Sequence, residues 1–212
     1  MPIVDQSVED YMRSLATVDD EEVLVEMEQL AERNGFPIVG RLCGQVLEIL
    51  ARSIGARRIF EMGSGFGYSG YWFSRATGKE GEIHLTDMDP NNEKQALDFL
   101  GRAGLSDPIE YHVGDAFEAF ERVEGEFDIV YCDIDKEGYP RAWDLAKGRV
   151  RVGGFYICDN MLWSGRVTQE PSEYDERTRA IDATNRAIAS DPRFRSTIVP
   201  TRDGVIAALR IS

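Results

Sequence analysis

The chain has 212 residues, 42% of them apolar, which suffices for one sizeable α/β core and falls short of two ordinary domains. Its 38 acidic against 24 basic residues give a formal charge of −14, which repels phosphate backbones and anionic lipid and disfavours generic nucleic-acid or membrane-surface binding. Cys43, Cys132 and Cys158 sit in apolar runs without a C-x-x-C spacing. With no signal-peptide pattern in MPIVDQSVEDYM and no run near the ~18 apolar residues of a membrane span, the expectation is a cytoplasmic protein with buried thiols.

From residue 7 to about 34, apolar residues recur at helical spacing (Val8, Tyr11, Met12, Leu15, then Val23, Leu24, Met27, Leu30) and predict amphipathic helices. These exceed what one domain face needs. A break at Gly35-Phe36-Pro37 precedes a third helix over about 39–54, closed by Gly55. Short β-branched or aromatic runs follow at 58–62, 82–86, 110–113, 127–132 and 155–158, alternating with helical stretches. That alternation predicts parallel strands joined by right-handed helical crossovers. A helix over about 177–190 then leads to two runs, 195–200 and 205–211, around Arg202-Asp203-Gly204, which read as an antiparallel hairpin. The expected fold is a Rossmann-like methyltransferase α/β fold, a mostly parallel seven-stranded sheet with an antiparallel C-terminal hairpin and helices on both faces. It forms one domain over 1–212, with a helical segment (1–54) packed on the core (55–212).

The first strand runs into Gly63-Ser64-Gly65-Phe66-Gly67-Tyr68-Ser69-Gly70, where glycines allow a tight turn and a helix N-terminus offers free N–H groups. Gly65, Gly67 and Gly70 also satisfy GxGxxG, so the motif alone admits a dinucleotide. The charges favour a different ligand. Glu61 would oppose a pyrophosphate and suit the positively charged methionine end of S-adenosylmethionine, and the loop has no lysine or arginine. Asp87, at the end of the second strand, can accept two hydrogen bonds from a ribose diol, and Gly114-Asp115-Ala116 can hold an adenine edge.

The fourth strand ends in Asp133-Ile134-Asp135-Lys136 and the fifth in Asp159-Asn160. In a doubly wound sheet those ends share one rim beside the glycine loop. Two carboxylates and an amide oxygen suit Mg²⁺, Ca²⁺ or Mn²⁺. Zinc is not expected, because the only two histidines, His84 and His112, fall inside strands.

These segments, with Asp159-Asn-Met-Leu-Trp-Ser-Gly165 and the closing Asp203-Gly204, resemble the cation-dependent O-methyltransferases typified by the caffeoyl-CoA and catechol enzymes. Ser164 stands where the plant caffeoyl-CoA enzymes carry asparagine, and the likeness is nearer to small microbial members. The resemblance implies a divalent cation, most simply Mg²⁺, on Asp133, Asp159 and Asn160. It implies S-adenosylmethionine held by Val39, Glu61, Gly63, Ser64, Ser69, Asp87, Asp115, Ala116 and Asp135. Lys136 falls where the catechol enzymes carry their general base, Asp133 would share in catalysis and substrate binding, and Trp163 would face the substrate. A homodimer and a small catechol-like hydroxylated aromatic substrate are also implied. Two alternatives stay open: a transfer-RNA hydroxyuridine O-methyltransferase and, more distantly, an NAD-dependent oxidoreductase. The acidic stretch 170–176 reads either as a lid or as a surface connection.

Overall fold

A computed structural model describes residues 4–16 and 22–212. Three helices come first, α1 (Gln6–Leu15), α2 (Glu22–Asn34) and α3 (Gly40–Ser53). The alternating core then runs β1 (Arg58–Met62), α4 (Tyr68–Thr77), β2 (Glu82–Asp87), α5 (Pro90–Arg102), β3 (Ile109–Val113), α6 (Ala116–Arg122), β4 (Phe127–Cys132), α7 (Tyr139–Ala146), β5 (Val150–Cys158), α8 (Glu176–Ser190), β6 (Phe194–Val199) and β7 (Val205–Arg210). Part of the helical stretch expected from residue 7 to about 34, residues 17–21, lies outside the described residues.

The seven strands form one sheet in the order β3-β2-β1-β4-β5-β7-β6. The first five are parallel, and β7 enters antiparallel between β5 and β6, bearing out the hairpin and the expected methyltransferase-like sheet. Alternate side chains of each central strand face opposite ways, so the sheet carries two cores. Ile129 and Tyr131 of β4 join the layer of α2, α3, α4 and α5, while Val130 and Cys132 join that of α6, α7 and α8. All three cysteines are buried and unpaired.

Strand β5 is longer than its sequence suggests, because Gly153-Gly154 interrupts the apolar run that marks 155–158. Its pairing with β4 shifts register between Phe127 and Ile129, then recovers so that Cys132 sits opposite Cys158. That recovery matters for the site, since the next residue on each strand is an aspartate. Among the described residues, no helix is long and apolar enough to cross a membrane.

Candidate active site

A cleft of about 690 Å³ opens over the carboxyl ends of the parallel strands. Beside β1 the chain turns at Gly63 (φ +83°), where an added Cβ would lie 2.5 Å from the Asp133 carbonyl oxygen. Only a glycine lets the two strand ends approach this closely. Four hydrogen bonds with Thr86 of β2 fasten the turn. Thr86 Oγ1 accepts from the Gly63 N–H at 3.1 Å and donates to the Glu61 carbonyl at 2.9 Å. Ser64 donates its N–H to the Thr86 carbonyl (2.7 Å) and receives the Thr86 N–H on Oγ (3.0 Å). Tyr111 of β3 reaches over and donates its hydroxyl to the Gly65 carbonyl at 2.5 Å.

Glu61 is fully buried beneath this turn. One carboxylate oxygen accepts a short hydrogen bond from Ser69, and the other has no partner. Burial pushes its pKa up to about 8 against the partial relief from Ser69. A buried acid with one idle oxygen has the chemistry to accept a positively charged ligand group.

On the other side of the cleft, Asp133 and Asp159 follow directly on the paired Cys132 and Cys158. The Asp159 N–H donates to the Cys132 carbonyl (3.1 Å), and the Asp133 N–H to that of Met62 (2.9 Å), so three strand ends are laced together. Asp159 is wholly buried. Its Oδ2 accepts from the Arg202 guanidinium at 2.9 Å, while Oδ1 has no partner. Burial first, then the neighbouring Asp133 charge, raises its pKa to about 7. Asn160 stands at φ 60° and its amide nitrogen lies 3.5 Å from Asp203 Oδ2. Lys136 Nζ is 3.1 Å from Asp133 Oδ1 and 3.2 Å from the Ile134 carbonyl.

The model of the O-methyltransferase family matches residues 14–211, nearly the whole chain. The chain belongs to the O-methyltransferase family. This O-methyltransferase is 31% identical over 179 residues to caffeoyl-CoA O-methyltransferase 1 of Eucalyptus globulus, covering 80% of this chain and 73% of that protein. It is 31% identical over 173 residues to the catechol O-methyltransferase of Niastella koreensis, covering 79% and 78%. Among solved structures, an O-methyltransferase of Streptomyces achromogenes involved in tomaymycin synthesis, in complex with SAM, superposes with a TM-score of 0.87 at 28% identity, covering 97% and 96%. The dinucleotide alternative raised by GxGxxG therefore gives way.

Val39, Gly63, Ser64, Ser69, Asp87, Asp115, Ala116, Asp133, Asp135, Lys136, Asn160 and Trp163 all line the one cleft of this O-methyltransferase. Glu61 and Asp159 lie buried behind its walls. Two of the acids also serve the fold. Asp115 caps α6, its Oδ1 accepting from the Phe117 and Glu118 N–H groups at 2.9 and 3.0 Å. Asp87 receives Gly65 N–H on Oδ2 at 3.2 Å and Asp89 N–H and Asn92 Nδ2 on Oδ1. The Trp163 indole N–H is buried without a partner on the cleft wall. Residues 170–176 line no part of the cleft and lead into α8.

Sequence reasoning missed Thr86, Tyr111, Arg202 and the clamp made by Asp203. Asp203 Oδ1 accepts a short hydrogen bond from the Ser164 N–H, and the Asp203 and Gly204 carbonyls accept from Leu162 (2.9 Å) and Met161 (2.8 Å). The β6–β7 turn thus straps down the segment that carries Asn160 and Trp163. The quoted Asp203-Gly204 pair was the only visible trace of it.

Proposed function

We propose that this O-methyltransferase transfers the methyl group of S-adenosylmethionine to a hydroxyl of a small hydroxylated aromatic compound, with a divalent cation held at Asp133, Asp159 and Asn160. The observation that carries the reading is the Asp159 carboxylate: fully buried, with Arg202 on one oxygen and nothing on the other. Buried anions persist when they are paired or coordinate metals, and the idle Oδ1, Asp133 and the Asn160 amide supply hard oxygen donors that fit Mg²⁺, Ca²⁺ or Mn²⁺. When bound, such a cation supplies acidification and orientation of a substrate hydroxyl.

The chain's own groups divide the remaining work. Glu61 offers its idle oxygen to the positively charged methionine end of the donor, and Asp87 and Asp115 line the wall that suits its nucleoside. Methyl transfer forms an O–C bond as the S–C bond breaks, the electron pair leaving on sulfur, so one proton must depart from the hydroxyl. Lys136, its side chain only 15% exposed and its Nζ 3.1 Å from Asp133, is the group we assign to receive that proton. Trp163 adds an unpaired N–H and an aromatic face against which a substrate ring can rest. Most of the acceleration then comes from holding oxygen and methyl carbon in line.

The test measures transfer of labelled methyl groups to a panel of catechols, with and without a chelator, in the native protein and in Asp133→Ala and Asp159→Ala. The reading expects chelation and either substitution to cut turnover by about 100-fold or more, while donor affinity changes by no more than about threefold. Unchanged turnover in the variants, or methylation of bulk transfer RNA in place of the catechols, contradicts it.

A further inference from the structure

We propose a second metal site, separate from the cleft, in which His84, His112 and Glu110 bind zinc or a neighbouring first-row divalent ion on the face of β2 and β3. These two residues are the only histidines in the chain. Parallel register sets His84 opposite Glu110 and Thr86 opposite His112, so Glu110 and His112, two apart on β3, share one face with His84. Both imidazoles stack near Phe60, which backs the site from the core.

The distances bring three donor atoms close enough to share one cation. His84 Nδ1 and His112 Nε2 are 3.0 Å apart, and Glu110 approaches them at 3.5 and 3.7 Å. The last two are too long for N–H···O hydrogen bonds, yet they match the edges of a coordination tetrahedron, roughly 3.3 Å for bonds of about 2.0–2.1 Å. Opening the nitrogen pair to that edge takes a few tenths of an ångström.

The surrounding contacts select the protonation state that such a site requires. His84 Nε2 lies 2.7 Å from Glu82 Oε1, which also accepts from Arg58 Nε at 2.8 Å. Glu82 thereby holds the His84 proton on Nε2 and leaves Nδ1 with its lone pair facing the other donors. A carboxylate behind a ligating imidazole is the usual support of a metal-bound histidine. Without a cation, His112 Nε2–H donates to that lone pair at 3.0 Å, and Glu110 stands beside the pair at 3.5 and 3.7 Å as a further oxygen donor. Two nitrogens and one carboxylate favour zinc and its neighbours over Mg²⁺. His84 is 3% exposed and Glu110 63%, so an ion entering from solvent keeps an outer position for water.

Each histidine stands three residues before the aspartate at its strand's rim, Asp87 or Asp115, about 10 Å upstream along the strand. The site therefore ties the edge strand β3 to β2 and takes no part in methyl transfer. The test titrates the full chain, freed of metal by chelation, with Zn²⁺ by calorimetry and with Co²⁺ by visible absorption. Asp159→Asn serves as the background, to silence the cleft. One equivalent of Zn²⁺ should bind, Co²⁺ should give the intense bands of a tetrahedral centre, and Zn²⁺ at about 100 times its dissociation constant should raise the melting temperature by about 5–10 °C. In that background His112→Gln and the exposed Glu110→Gln should each abolish this and Glu82→Gln should weaken binding about 10-fold, while His112→Gln and Glu110→Gln made with Asp159 intact should leave Mg²⁺-supported methyl transfer at the native level. Absence of a bound equivalent, or the same equivalent in His112→Gln and Glu110→Gln, overturns the proposal.

Discussion

Glu61 carries a burial cost in its charged form that protonation relieves. Its pKa rises from 4.5 to about 8 because burial disfavours the charged form. The folded state therefore binds more protons than the unfolded chain between those values, and stability falls as pH climbs through that window. Glu61 should contribute up to about 1.4 kcal/mol of lost stability per pH unit from roughly pH 5 to 8 in the ligand-free protein, measured by denaturant unfolding, and Glu61→Gln should lessen the slope, leaving below about pH 7 the part that Asp159 contributes with the same sign. An equal slope in the variant would assign the effect elsewhere. Glu61, Asp87, Asp133, Asp159 and Asn160 were legible because each stands at or near the end of a short apolar run, where a doubly wound sheet places its ligands. Arg202 and Thr86 were not. Their roles depend on partners 43 and up to 25 positions away in sequence, and nothing local distinguishes them from an ordinary turn arginine or strand threonine.

At the scale of elements, the β6–β7 turn acts on the site through backbone contacts. Gly204 has φ +85°, and a Cβ there would meet Leu162 Cγ at 2.5 Å. Gly204→Ala should cost about 2–4 kcal/mol, lowering the melting temperature by about 5–15 °C and weakening the cation site more than donor binding. A variant melting like the native protein would show that the strap carries no load. The hairpin itself was readable from its two β-branched runs and Asp-Gly turn, as was the strand–helix alternation before it. The early start of β5 was hidden, since Gly153-Gly154 reads as a loop until pairing of Val150 with Phe127 of β4 draws the segment into the sheet. Likewise, two histidines inside strands gave no sign of meeting, because strand register is settled between chains of side chains far apart in sequence.

For the whole molecule, α1 contributes no buried residue, and Val8, Tyr11 and Leu15 stand 47%, 63% and 59% exposed at positions that share one helical face. We propose that this face closes a homodimer. Sedimentation equilibrium should give a dimer for the native chain and a monomer for Tyr11→Glu, and a native monomer would reject the assignment. The net charge of −14 argues that the protein will not be retained on bulk transfer RNA at physiological salt. The proposed methyl transfer rests on a cation held at the rim that carries Asp133, Asp159 and Asn160. The most direct measurement is anomalous diffraction from crystals grown with Mn²⁺ and S-adenosylhomocysteine. The account predicts one strong peak about 2.0–2.6 Å from oxygens of those three side chains, beside the glycine turn. A map with no peak there, or with manganese bound only elsewhere, would contradict it.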